Sequence, residues 1–156
     1  MKEYFLKLYQ YNAWANKRVL GAMKQQEVTD EKVLTLMTHV LAAQFIWLAR
    51  IKGEEKPKYR LWDTLPLEQL ESMAEEIGKK WLEYVESGDY TDRELSYNNY
   101  VGKAFVSKVE HIMMHLVNHS TYHRAQVTFV MRQKGFEPTN TDFITYDRVI
   151  TGQLKD

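Results

Sequence analysis

The sequence predicts an all-α protein, most simply a four-helix bundle, and three observations support this. The chain of 156 residues has only seven glycines and three prolines, so long uninterrupted helices fit between them. Apolar residues recur at steps of three and four in four separate segments. Hydrophobic residues make up 44% of the chain and charged residues 27%, which is enough apolar surface for one sizeable core. We therefore expect residues 1–156 to form a single domain.

The first two helices are predicted in the N-terminal third of the chain. The first runs from about Lys2 to Gln25 and is amphipathic. The second begins after Thr29 or Asp30, either of which can cap it, and Gly53 ends it. This second helix is apolar around most of its circumference, which is typical of a helix with several packed neighbours.

A long connection precedes the third helix. Residues Gly53 to Pro66 are charged in their first half and include Pro57, which argues against a further helix here. Pro66 then opens a third helix that ends near Ser87 and Gly88. Long connections of this kind allow an order of helices other than plain up-and-down.

A short hairpin and the last long helix complete the predicted fold. The segment from Glu94 to Phe105 has a β-like composition and precedes the last helix. Residues that can form its turn are Asn98, Asn99 and Gly102. The fourth helix is expected from about Ser107 to Lys134, closed by Gly135 and Pro138.

Composition excludes several classes of protein. Lys plus Arg and Asp plus Glu each total 21, and no basic run offers the footprint that nucleic-acid binding needs. There is no cysteine, which excludes disulfides, zinc–cysteine modules and a thiol nucleophile of the protein itself. No signal-peptide pattern and no uncharged apolar stretch of about 18 residues is present. We expect a soluble cytoplasmic protein that binds neither nucleic acid nor membrane.

Five histidines are the strongest chemical signal, and all lie on predicted helices. His111, His115, His119 and His123 are spaced by four residues, so neighbouring imidazoles can bind one metal ion. Each step drifts by about 40° around the helix, which places His123 toward the apolar arc with His119 beside it. This pair is the best ligand pair, and His111 and His115 are interpreted as structural.

A third ligand has to come from another helix, and His39 is the only remaining histidine. It lies at the margin of the apolar face of the second helix, which suits a site open to solvent. Three neutral imidazoles with one open coordination position are typical of a catalytic zinc-type centre. The alternative is that these histidines are structural and satisfied by local hydrogen bonds.

Two other kinds of metal site are excluded by spacing. No Glu or Asp stands three residues before any histidine, so the pattern of di-iron bundles is missing. No Glu follows the first histidine of any HxxxH pair, so the general base of a zincin protease is missing too. A metal here would ionise a substrate or thiol directly, or activate water unaided.

The segment from His119 to Val127, HSTYHRAQV, closely resembles the H-x-x-x-H-R-G-Q signature of the DinB/YfiT-like family. The segments Tyr11 to Leu20, YNAWANKRVL, and Thr38 to Ile51, THVLAAQFIWLARI, are similar to the family's first and second helices. The resemblance covers almost the whole chain. Ala125 is a departure, since the family usually has Gly at this position.

This resemblance implies a four-helix bundle, often homodimeric, that holds zinc or nickel with three histidines, here His39, His119 and His123. Relatives with known activity include S-transferases that use bacillithiol, mycothiol or glutathione, and maleylpyruvate isomerases. The leading hypothesis is therefore a divalent-metal-dependent thiol S-transferase that acts on small electrophiles. The alternatives are a non-catalytic, metal-binding, dimeric stress-response protein and a metal-dependent hydrolase.

Four further residues have expected roles around the site. Gln126 or Asn118 can accept a proton from the second nitrogen of a ligand. Trp62 in the long connection is the tryptophan expected to reach a ligand or a dimer mate. Arg124 is expected to pair with a carboxylate of a neighbouring helix, with an anionic substrate as the alternative.

Overall fold

The computed structural model describes residues 1–54, 56–99 and 101–155. Over these residues the chain forms five helices and one antiparallel hairpin. Their bounds are α1 Lys2–Gln25, α2 Glu31–Lys52, α3 Leu67–Ser87, β1 Glu94–Asn98, β2 Ala104–Lys108, α4 Val109–Gln133 and α5 Phe143–Ile150. The prediction of an all-α fold with a short hairpin before the last long helix is confirmed.

The ends of α2 follow from two residues of the sequence. Asp30 is the N-cap, because its carboxylate accepts hydrogen bonds from the backbone N–H groups of Lys32 and Val33. Gly53 ends the helix with a φ of 72°, a left-handed conformation that glycine adopts without steric cost. These boundaries fix where α2 presents its side chains to the other helices.

The helices pack in pairs around one apolar core, α1 mainly against α3 and α2 mainly against α4. Tyr9 of α1 stacks on Trp81 of α3 with ring centroids 4.8 Å apart. The indole N–H of Trp81 donates to the backbone carbonyl of Gln44 in α2 at 3.3 Å, so one side chain links three helices. A Cβ added at Gly78 would lie 3.3 Å from the Cβ of Ala13, so α1 and α3 approach closely there.

The hairpin is longer than the sequence indicated. β1 and β2 pair antiparallel, and Ser107 belongs to β2, so α4 begins at Val109, two residues later than predicted. In the turn, the side-chain oxygen of Asn99 accepts hydrogen bonds from the backbone N–H groups of Val101 and Lys103. Gly102 supplies the positive φ, 79°, that the turn requires.

A short fifth helix, α5, was not predicted. Its Tyr146 is buried against α1, with its ring centroid 5.8 Å from that of Tyr11 and 5.4 Å from that of Trp14. Eight residues are too few to display a repeated apolar stripe, and so short a helix depends on the surface it packs against. Its formation is therefore a consequence of tertiary packing on α1.

By length and composition, α2 alone among the described helices could cross a membrane, with a mean hydropathy of 1.4 over its most apolar window. However, 78% of that window is buried inside the bundle. Such burial is typical of the core helix of a soluble protein.

The described part of the connection between α2 and α3 contains no helix or strand, as predicted. The hydroxyl oxygens of Thr35 and Thr64 lie 2.6 Å apart, and the backbone N–H of Leu65 donates to the hydroxyl of Thr38 at 3.4 Å. The connection therefore follows the first half of α2 and brings Trp62 against His39.

Candidate metal centre

Three histidine side chains converge between α2 and α4. The Nε2 atom of His39 lies 3.1 Å from Nε2 of His119 and 3.2 Å from Nε2 of His123. His39 is only 4% exposed, and the other two are half-buried. The structure thus brings together the three residues that the sequence singled out.

Helix geometry explains this convergence. His119 and His123 are one turn apart on α4 and share a face, with ring centroids 4.4 Å apart. The ring of His39 approaches from α2, with its centroid 4.9 Å and 4.3 Å from those two rings. It is more buried than its marginal place on the helix suggested, because the indole of Trp62 covers it.

The spacing of the three nitrogens fits a divalent ion. Imidazole nitrogens bound at about 2.0–2.1 Å in tetrahedral geometry lie about 3.3–3.4 Å from one another. The two distances from His39 are 3.1 and 3.2 Å. A single imidazole N–H can donate to only one of two facing nitrogens, whereas a cation accepts lone pairs from all three. The three histidines could therefore hold a metal ion.

Burial favours the neutral, metal-binding form of two of these imidazoles. Desolvation, and to a smaller extent the charge of His123, lowers the pKa of His39 to about 4 against an opposing hydrogen bond with the backbone of Leu61. Desolvation, followed by the charges of the neighbouring histidines, lowers the pKa of His119 to about 3. Because a metal binds neutral imidazole, these two side chains are ready to coordinate at neutral pH.

Two neighbouring side chains orient the ligands. The side-chain oxygen of Gln126 lies 2.8 Å from Nδ1 of His123 and accepts its proton, which leaves the Nε2 lone pair directed at the site. This confirms the expectation for Gln126, whereas Asn118 lines a different groove, toward residues 139–143. Trp62 stacks on His39 with ring centroids 3.8 Å apart and remains 57% exposed.

The expected partner of Arg124 was wrong. Its guanidinium donates to the side-chain oxygens of Asn12 and Asn16 on α1, at 2.7 and 2.9 Å. It also donates to the hydroxyls of Tyr11 and Thr121, at 3.3 and 3.0 Å. Arg124 is 1% exposed, so it joins α1 to α4 through neutral oxygens and does not reach a substrate. The sequence signal for this contact was the pair of asparagines one turn apart in YNAWAN.

His111 and His115 are not part of the converging group. The ring centroid of His115 lies 5.5 Å from that of His119. Burial lowers the pKa of His115 as well. Both side chains line a separate small cavity together with Trp47 and Tyr97.

The fold and the site define a helical-bundle protein with a possible three-histidine metal centre. The chain belongs to the DinB family, since the sequence model of that family matches residues 1–153. It is similar to Protein DinB of Bacillus subtilis (strain 168), with 23% identity over 164 aligned positions that span 94% of this chain and 95% of the relative. The resemblance drawn from the histidine-containing segments is thereby confirmed.

Proposed function

We propose that this protein is a divalent-metal-dependent enzyme that joins a low-molecular-weight thiol to a small electrophile. The observation that carries the proposal is the convergence of three imidazole Nε2 atoms, with 3.1 and 3.2 Å between facing nitrogens. A zinc or nickel ion bound there would supply Lewis-acid chemistry, which lowers the pKa of a coordinated thiol toward neutrality. The metal ligands would be His39, His119 and His123.

The side chains around the site support this reaction class. The absence of cysteine means that sulfur chemistry requires an external thiol, of the bacillithiol or glutathione type. The thiol loses its proton, its sulfur forms a bond to the electrophilic carbon, and the leaving group departs with the bonding electrons. Gln126 fixes the tautomer of His123, and the exposed indole of Trp62 borders the site beside His39.

We also propose the cellular setting that suits such an enzyme. The protein would act in the cytoplasm, as a homodimer, on small molecules. The equal numbers of acidic and basic residues favour neither a nucleic-acid nor a membrane partner.

The test begins with the metal content of protein purified without a nickel column. Elemental analysis is expected to find close to one zinc or nickel ion per chain. The protein is then incubated with glutathione or bacillithiol and 1-chloro-2,4-dinitrobenzene, and formation of the thioether is followed by absorbance. The rate is expected to exceed that of His123→Ala by at least about a hundredfold, which corresponds to the loss of about 2.7 kcal/mol or more of transition-state stabilisation when a metal ligand is removed.

Phe129→Ala is the matched control, because it removes an exposed ring of the same helix outside the converging group. It is expected to keep both the metal and the rate. Bound metal with no rate above His123→Ala would refute the transferase and leave the non-catalytic metal-binding protein. Turnover of p-nitrophenyl acetate without any thiol would instead indicate the hydrolase.

A further inference from the structure

A cavity of about 260 Å³ lies between α2, the hairpin and α4. The residues that line it are Trp47, Tyr97, Ser107, His111, Ile112 and His115. None of these side chains takes part in the three-histidine group. The cavity is therefore separate from the three-histidine group.

Aromatic rings form two walls of this cavity and are held in place. The rings of Trp47 and Tyr97 meet edge to face, with centroids 5.0 Å apart and an angle of 77°. The guanidinium carbon of Arg50 lies 4.8 Å from the Trp47 ring and 5.8 Å from the Tyr97 ring, so one cation contacts both. The hydroxyls of Tyr97 and Ser107 lie 3.3 Å apart. The walls are thus fixed by contacts with neighbouring side chains.

The cavity adjoins the three-histidine site along the seam between α2 and α4. His115 is a wall of the cavity, and its ring centroid lies 5.5 Å from that of His119. It also contacts Trp47 edge to face, at 6.1 Å. One helical turn, about 5.4 Å, therefore separates the cavity wall from a candidate metal ligand. The cavity and the candidate metal site are therefore close enough for one small molecule to reach both.

We propose that this cavity binds the aromatic ring or compact apolar group of a substrate whose donor atom lies at the three histidines. The proposal rests on the proposed function and adds the substrate's shape to it. An enclosed apolar cavity of about 150 Å³ is large enough to bind benzene, so by volume about 260 Å³ accommodates one ring with a short linker, and the exposed side chains of His111 and His115 mark where this cavity opens to solvent. Edge-to-face contacts with Trp47 and Tyr97 favour a flat aromatic group over an aliphatic one of equal area.

The first experiment does not require a metal. 2-Phenylethanol is titrated into the metal-free protein, and the indole N–H signal of Trp47 is followed by NMR. We expect a saturable shift of this signal. Ser107 is the half-buried residue of β2 and lines the cavity, so Ser107→Trp fills the cavity and is expected to abolish the shift. Ser96→Trp adds the same side chain to the same hairpin outside the cavity and is expected to retain it.

The second experiment uses the protein loaded with Co²⁺, whose thiolate charge-transfer absorption reports thiol binding. 2-Phenylethanethiol is expected to bind about tenfold more tightly than ethanethiol, which corresponds to about 1.4 kcal/mol. The ratio should fall to about one in Ser107→Trp and stay near ten in Ser96→Trp.

The outcomes separate this proposal from the function on which it rests. Failure to bind Co²⁺ would refute the metal centre, and the 2-phenylethanol titration alone would then decide whether the cavity takes an aromatic group. Binding of Co²⁺ with equal affinity for both thiols would overturn the proposal and leave the metal centre intact. A Trp47 shift that persists in Ser107→Trp would overturn it as well.

Discussion

Zinc binding at the three histidines is expected to release few protons, even at acidic pH. The reason is that a proton has to leave each charged imidazole before the metal can bind. Burial lowers the pKa of His39 to about 4 and, with help from neighbouring charges, that of His119 to about 3. Both groups are therefore already neutral at pH values where an ordinary histidine is charged.

The expected number of protons follows from these values. At pH 5.5, three ordinary imidazoles with a pKa near 6.5 would together release about 2.7 protons. A pKa of about 4 leaves His39 carrying about 0.03 proton, and a pKa of about 3 leaves His119 carrying less than about 0.01. His123 can release at most one. The total is therefore expected to be about one proton or fewer.

Isothermal titration calorimetry at pH 5.5 measures this number. The apparent binding enthalpies in acetate and in MES differ by the number of protons released multiplied by the difference between the protonation heats of the two buffers. His111→Gln is the matched control and should give the same number as the unchanged protein. His123→Gln should bind zinc too weakly to measure. Release of more than two protons would show that the imidazoles are charged before binding, and the argument from burial would be refuted.

Three further changes test the parts of the structure that support the site. Gln126→Ala removes the acceptor at Nδ1 of His123 and is expected to weaken zinc binding about ten- to a hundredfold in a chelator competition, with unchanged thermal unfolding; an unaltered affinity would contradict the orienting role. Arg124→Met leaves two buried asparagine oxygens without a donor and should lower the free energy of unfolding in urea by about 3 kcal/mol. A decrease of less than about 1 kcal/mol would show that these hydrogen bonds do not stabilise the fold. Gly78→Val places a Cβ 3.3 Å from that of Ala13 and should lower the free energy of unfolding in urea by about 1–3 kcal/mol. An unchanged free energy of unfolding would show that α1 and α3 can move apart.

Most of the fold could be predicted because its long helices carry their own signal. A helix of 21 to 25 residues repeats its apolar stripe over several turns, so α1 to α4 could each be predicted from that spacing together with the glycine, proline and cap residues that bound them. The eight residues of α5 are too few to repeat an apolar stripe, and this helix forms because Tyr146 packs on α1. The start of α4 was misplaced because backbone pairing with β1 takes Ser107 into a strand. No single-residue pattern reports such pairing.

The candidate site could be predicted to the extent that it lies on helices. The directions of the side chains around α4 indicated His119 and His123 as one ligand pair. His39 followed because it is the only histidine outside α4. The stacking of Trp62 on His39 was not predicted, because a connection without regular structure has no helical phase from which to calculate the direction of a side chain. Its position depends instead on hydrogen bonds to the first half of α2.

Arg124 pairs with neutral amide oxygens, and not with the expected carboxylate, because it is buried. A carboxylate would neutralise the guanidinium, but placing a second charge in the core adds a desolvation cost that the attraction does not always recover. The amide oxygens of Asn12 and Asn16 supply acceptors without that cost, and burial accordingly lowers the pKa of the arginine. Because Arg124 directly follows His123, this clamp on α1 also fixes the rotation of α4. The same contact restrains the helix face that carries both α4 histidines, so a loss of the arginine would free α4 to rotate as well as weaken the core.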